Sequence, residues 1–160
     1  RHWHPGQNWI LEPGGFGVFD PGINALSIMT SILPERIMLK SATLHFPSNR
    51  QAPIAAELEM VHGVDTPVVV EFDFLQTGPQ SWDIEVETTD GTLLLRDGGR
   101  RLFIDGVEQL SAEDREYPRL YRRFDELVAA GTSDVDLSPQ QLVADAFMIG
   151  RRVEAAPFEF

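Results

Sequence analysis

Residues 54–75, IAAELEMVHGVDTPVVVEFDFL, decide the fold class. Ile54, Ala56, Leu58 and Met60 fall on one side of an extended chain, with Glu57 and Glu59 on the other. Val68, Val70, Phe72 and Phe74 stand in the same relation to Glu71 and Asp73. Side chains alternate across a strand, so this pattern predicts two strands with one buried face and one wet face. Downstream, Trp82, Ile84 and Val86 alternate with Asp83, Glu85 and Glu87. Asp90-Gly91, Asp97-Gly98 and Asp105-Gly106 are hairpin-type dipeptides, which make residues 82–107 an antiparallel meander. Upstream, the mostly apolar residues 36–46 predict a further strand.

Helical patterns flank this run of strands. Phe19, Ile23, Leu26, Thr30 and Leu33 recur at helical spacing, and Pro34 ends the run. On another face of the same helix lie Asp20, Asn24, Ser27 and Ser31, a stripe of short polar side chains. A solvated face would usually carry Lys, Glu and Arg, and this one has none. In 117–130, Leu120, Tyr121, Phe124, Leu127 and Val128 form an apolar stripe, and Gly131 occupies the C-terminal cap position. Ser138-Pro139-Gln140-Gln141 reads as a capping box with proline at the first helical position. Leu142, Val143, Ala146, Phe147 and Val153 then supply a buried stripe. The expected architecture is α+β: one open, mostly antiparallel sheet with helices packed on one face.

Composition bounds the function. The 160 residues suit a single domain, and their net charge is −12, from 13 basic and 25 acidic residues. Without cysteine there are no disulfides, thiolate metal sites or cysteine nucleophiles. A nucleic-acid partner would call for a basic face, which this charge opposes. No apolar run approaches the length of a membrane span and no signal peptide is evident, so the expected location is the cytoplasm. The chain begins at Arg1-His2-Trp3-His4 with no initiator Met, and the expectation is a processed protein or a piece of a longer one.

Asp20 and Asn24 are the leading candidates for chemistry. Four residues apart on a helix, they share a face. A carboxylate takes a proton, and a carboxamide orients a hydroxylated substrate. The competing reading makes Asp20 an N-cap followed by proline at the first helical position. Trp3, Trp9 and Trp82 offer indole faces to sugar C–H groups or cofactor rings, against ordinary core burial. His2 and His4 stand two apart, but no clear third ligand is near and no metal site is expected. His45 and His62 read as structural or exposed. Gly14-Gly15-Phe16-Gly17 matches no phosphate-cradling pattern and indicates close backbone approach or a positive φ. The acidic sheet face reads as solvated, with a docking face for a basic partner as the alternative.

The segment Gly14-Gly15-Phe16-Gly17-Val18-Phe19-Asp20-Pro21-Gly22-Ile23-Asn24 resembles the glycine–aspartate motif of the Gfo/Idh/MocA oxidoreductases, roughly G-G-G-x-x-x-D-x-G-x-H. Asn24 stands where most members have histidine, a departure shared by the branch of bacterial aldose 1-dehydrogenases acting on D-galactose or L-arabinose. Trp3-His4-Pro5-Gly6-Gln7-Asn8-Trp9, Gln76-Thr77-Gly78-Pro79-Gln80-Ser81-Trp82-Asp83-Ile84-Glu85, Thr92-Leu93-Leu94-Leu95 and Tyr117-Pro118-Arg119-Leu120-Tyr121 are similar to that branch too. The resemblance covers essentially the whole chain. It implies the family's second domain, of glyceraldehyde-phosphate-dehydrogenase C-terminal type, as a single substrate-binding and oligomerisation domain over residues 1–160.

The resemblance further implies oxidation of an aldose at its anomeric carbon to the lactone, with NAD or NADP as cofactor. That cofactor would be bound mainly by an N-terminal Rossmann domain that this chain lacks. Asp20 would accept or relay the anomeric proton and Asn24 would hold the anomeric oxygen. An amide does not titrate as histidine does, so the acid–base burden falls on Asp20 and on a lysine of the missing domain. The only lysine here, Lys40, lies on an expected strand and does not fit that role. Trp3, His4, Trp9 and Trp82 would line the sugar. The implied partners are an aldose, the protein's own nucleotide-binding domain and a possible homo-oligomer, with no nucleic acid or membrane. Two other readings stay open: a non-catalytic sugar- or nucleotide-sensing domain, and a dimerisation module. The expected intact mass of the natural gene product exceeds that of this chain by about 120–150 residues, the size of one nucleotide domain; mass spectrometry checks it.

Overall fold

The strands Ile37–Pro47 (β1), Ala55–His62 (β2) and Thr66–Asp73 (β3) form a continuous antiparallel run. The computed structural model describes residues 6–78, 81–113 and 115–159. The chain divides into two compact units, Arg1–Gln76 with Asp136–Phe160, and Thr77–Val135.

In the first unit the alternation anticipated for residues 54–60 is realised: Ile54, Ala56, Leu58 and Met60 are buried while Glu57 and Glu59 are exposed. Val68, Val70 and Phe72 of β3 pack against the same core. The helices Phe19–Ile32 (α1) and Ser138–Ile149 (α3) pack on one face of this sheet, bringing Phe19, Leu26, Leu142, Val143 and Ala146 onto Leu44 and Leu58. A register shift between Leu39 and Ser41 leaves Lys40 as the extra residue of β1, after which Ala42 and Leu44 point to the core.

Val153 corrects the sequence reading. It belongs not to the last helix's stripe but to a strand, Arg151–Ala155, that pairs in parallel with β1, opposite His45. At the turn between them, a Cβ on Gly150 would fall on the Ala146 carbonyl and within 3.2 Å of Ala42 and Leu44, so helix and strand are joined without space for a side chain. The capping box also resolves differently. Leu137 occupies the cap position of α3, and the Asp136 carboxylate accepts the Ser138 N–H at 2.8 Å. Hydrogen bonds from the Ser138 side chain and backbone hold that carboxyl below its ordinary range.

The second unit holds Ile84–Thr88 (β4), Gly91–Arg96 (β5), Arg101–Ile104 (β6) and Val107–Ser111 (β7), all antiparallel and in sequence order, and the helix Glu116–Ala130 (α2). With the Arg151–Ala155 strand as β8, the first sheet runs β3-β2-β1-β8. The α+β class therefore holds, but the expected single sheet is two four-stranded sheets. Alternation specifies which face of a strand can be buried; it does not specify which strands share an edge. Asp105-Gly106 closes the β6–β7 hairpin with φ of 49° and 77°, the doubly left-handed turn that matches strand twist. At the first hairpin Gly91 pairs with Thr88, so the turn is Thr89-Asp90 rather than Asp90-Gly91. No described residue of this unit is fully buried, and the α2 stripe of Leu120, Tyr121, Phe124 and Val128 is exposed.

Burial decides where substitutions hurt. Leu58→Ala is expected to cost about 2–5 kcal/mol, because Leu58 is wholly enclosed by the core. Leu120→Ala, at an exposed helix position, stays within about 0.5 kcal/mol. Urea unfolding of the two variants beside the parent checks both values.

Candidate functional site

The path into α1 positions the candidate pair. A 3-10 turn at Asn8–Leu11 buries Ile10 and Leu11 against Ala52, Ile54 and Phe158. The Ile10 carbonyl accepts the Gly17 N–H at 2.7 Å, and the Pro53 carbonyl accepts the Val18 N–H at 2.8 Å. Gly17 has φ of 58°, and a Cβ there would collide with the Pro53 carbonyl, so only glycine passes this point unstrained. The helix then begins at Phe19, whose buried ring meets Phe72 edge-on and Phe147 at a tilt.

Asp20 is consequently not the cap. Val18 holds that position, and Asp20 lies within the first turn, its N–H bonded to the Gly17 carbonyl at 3.0 Å. Its carboxylate is half-buried and, among the described residues, makes no hydrogen bond or ion pair. Asn24, one turn on, is exposed and equally without a side-chain partner among the described residues. Ser27 and Ser31 continue the exposed polar face. The structure thus brings a proton acceptor and a carboxamide together on one helix face, with neither committed to holding the fold.

The other expected residues distribute as follows. Trp9 lies in the 3-10 turn, just before its two buried anchors, and is 57% exposed. Trp82 belongs to the second unit and precedes β4, which starts at Ile84 rather than at Trp82; its carbonyl accepts the Gly98 N–H at 3.1 Å. Trp3 and His4, with His2, lie outside the described residues. His45 faces Glu57 at 3.3 Å, and the His62 Nε2 accepts the Glu35 N–H at 3.0 Å, so both have structural partners. A groove of about 300 Å³ lies near the far end of α1, lined among others by Thr30, Arg36, Gln141 and Asp145. Thr30 is ten residues from Asp20, about 15 Å along the helix, and the groove includes neither candidate. Sequence patterning gave no sign of it, since its lining comes from three separated segments.

The glycine-rich stretch does not form a dinucleotide cradle. A Cβ on Gly15 would collide with the Ile10 carbonyl, and one on Gly17 with the Pro53 carbonyl, so these bare positions accommodate the protein's own backbone and not a pyrophosphate. This stretch therefore does not fit the phosphate end of a nicotinamide cofactor.

Comparison with known proteins adds the following. No protein-family model matches the chain. It is 50% identical over 158 residues to the galactose 1-dehydrogenase of Pseudomonas fluorescens, a match covering 99% of this chain and 52% of that protein. The crystal structure of D-galactose-1-dehydrogenase from Rhizobium etli superposes with a TM-score of 0.88 at 54% identity, covering 99% of this chain and 51% of that one. A 3-ketoreductase from Actinomadura kijaniata, in complex with TDP-benzene and NADP, shares the fold with a TM-score of 0.69 at 13% identity, covering 91% of this chain and 51% of that one. The chain thus spans about half the length of the relatives it matches. These similarities agree with the resemblance to the Gfo/Idh/MocA oxidoreductases carried by residues 14–24. Among the described residues, no helix is long and apolar enough to cross a membrane.

The two roles of Asp20 separate in a stability measurement. Loss of an N-cap costs about 1 kcal/mol. Asp20→Ala is instead expected to change unfolding free energy by less than about 0.5 kcal/mol, since alanine's helix propensity offsets the lost first-turn charge. Thermal and urea unfolding of this variant test the expectation.

Proposed function

We propose that this chain is the substrate-binding half of an NAD(P)-dependent aldose 1-dehydrogenase, which oxidises the anomeric carbon of D-galactose or L-arabinose to the lactone. The observation that carries the reading is the pair Asp20 and Asn24 on one face of α1, whose side chains have no partner among the described residues. Half-identity over nearly the whole chain to galactose 1-dehydrogenases supports it. D-galactose rests on those relatives, and L-arabinose on the sequence resemblance.

Oxidation removes a hydride from C1 and a proton from the anomeric hydroxyl. A nicotinamide, held outside the described residues of this chain, supplies the hydride acceptor when bound. Asp20 accepts the hydroxyl proton as general base, a role that needs its carboxylate within hydrogen-bond reach of that hydroxyl. Asn24 carries no titrating proton; its amide N–H holds the anomeric oxygen and so keeps the hydroxyl directed at Asp20. Trp9 and Trp82, with Trp3 and His4, are proposed as further sugar contacts, the indoles offering faces to apolar C–H edges. The full enzyme would include a nucleotide-binding half and could form a homo-oligomer in the cytoplasm.

The test is reduction of NAD⁺ and NADP⁺, followed by absorbance, with the natural gene product and each sugar. Turnover is expected with at least one aldose, and Asp20→Asn is expected to lower kcat about 100-fold or more. A folded parent protein that binds an aldose without oxidising it would replace the dehydrogenase with a sensing domain. Undiminished turnover by Asp20→Asn would remove Asp20 from the chemistry.

A further inference from the structure

Gly22 sits inside α1, two residues after Asp20 and two before Asn24. At 3.6 residues per turn, that places it across the helix from the pair. It is buried and its backbone is helical. Glycine in a helix interior is less favourable than alanine, and nothing in a helical backbone asks for it. The reason lies on the neighbouring strand. A Cβ on Gly22 would stand 2.9–3.1 Å from three atoms of the Phe72 ring.

That ring is partly buried and is backed by a second aromatic. Its edge meets Phe19 at a centroid distance of 5.8 Å and an interplanar angle of 81°. Phe19 is wholly enclosed and rests in turn against Phe147 of α3 at 5.4 Å. Interiors are packed closely enough that one added methyl group shifts its neighbours. The Phe72 ring is backed by Phe19, which Phe147 backs in turn, so an added methyl group presses on the helix as well as on the ring.

We propose that Gly22 is a positioning residue for the Asp20–Asn24 pair: its bare backbone lets α1 settle onto the Phe72 ring, and that contact sets the height at which the carboxylate and the amide meet the sugar. Both side chains ride on the same turn of helix as Gly22, so a displacement at the buried side is delivered directly to the exposed side. The inference rests on the dehydrogenase reading, because it assigns Gly22 through the work of Asp20 and Asn24. Proton transfer demands hydrogen-bond geometry, and small misplacements of a catalytic group cost large factors in rate.

The experiment is steady-state kinetics on the natural gene product with Gly22→Ala, with Phe72→Leu, and with both together. Gly22→Ala is expected to lower kcat by at least about tenfold, with a smaller change in KM for the aldose and an intact fold by circular dichroism. Phe72→Leu removes the ring atoms that the new Cβ would meet. In that background the added Gly22→Ala is expected to leave kcat within about threefold of Phe72→Leu alone, a coupling that two independent sites would not show. A purely structural role would shift the unfolding midpoint and leave the kcat of the folded enzyme in place, with no relief from the second substitution. Full activity of Gly22→Ala beside an active parent overturns the positioning role and leaves the dehydrogenase reading standing. A parent protein that oxidises no aldose overturns the reading and the positioning role together.

Discussion

The Pro53 carbonyl accepts the Val18 N–H and occupies the space where a side chain on Gly17 would lie. Everything about the candidate site depends on that close approach. It stops the incoming chain on the loop between β1 and β2 and starts α1 at Phe19. The buried turn of Ile10 and Leu11 holds the preceding segment from the other side. Two separate hydrogen bonds, one small buried cluster and the main core therefore converge on the first turn of one helix. A first turn held in this way presents Asp20 from a rigid backbone without using its side chain for support. The Asp20 carboxylate, which makes no hydrogen bond or ion pair among the described residues, keeps its acceptor positions open.

The same helix is supported along its buried side by aromatic packing and along its length by Leu26 against the sheet. This division of labour follows from chemistry. Apolar side chains at helical spacing anchor α1, while the short polar stripe faces outward and contributes nothing to the core. The acidic outer face of β2 and β3 behaves differently. Its Glu57 is engaged by His45 and its Glu59 by Ser41, so part of that face is cross-linked within the sheet. In the second unit, Arg101 grips Glu108 with two hydrogen bonds across the β6–β7 hairpin and keeps that carboxyl below its ordinary value of 4.5. Lying at the surface, such a pair orders that surface more than it stabilises a fold.

Much of this was legible in the chain. Ile54, Ala56, Leu58 and Met60 declared their face through period-two spacing, and burial follows it residue by residue. Asp20 and Asn24 were legible as a pair because four-residue spacing fixes a shared helix face. The cap reading of Asp20 was equally consistent with the local sequence, since Asp-Pro begins helices elsewhere. The structure sets it aside because α1 begins two residues sooner, through contacts made by Pro53 rather than by any neighbour in sequence. Spacing alone puts Val153 on the helix stripe, because Gly150 is the one local sign in the sequence that the helix stops. That sign acquires meaning only against Ala42 and Leu44.

By itself, then, the sequence determined the periodic elements, their faces and the identity of the polar pair, all of which depend on spacing within a few residues. It also determined the likeness to sugar oxidoreductases, through the glycine–aspartate segment. Only the tertiary structure decided that the strands fall into two sheets, that β8 lies parallel to β1, and that the Asp20 side chain has no partner among the described residues. Strand order, parallel pairing and a carboxylate's lack of partners are relations between residues far apart in the chain. Local propensity and patterning carry no information about such distances, and they are fixed only when close packing chooses which surfaces meet.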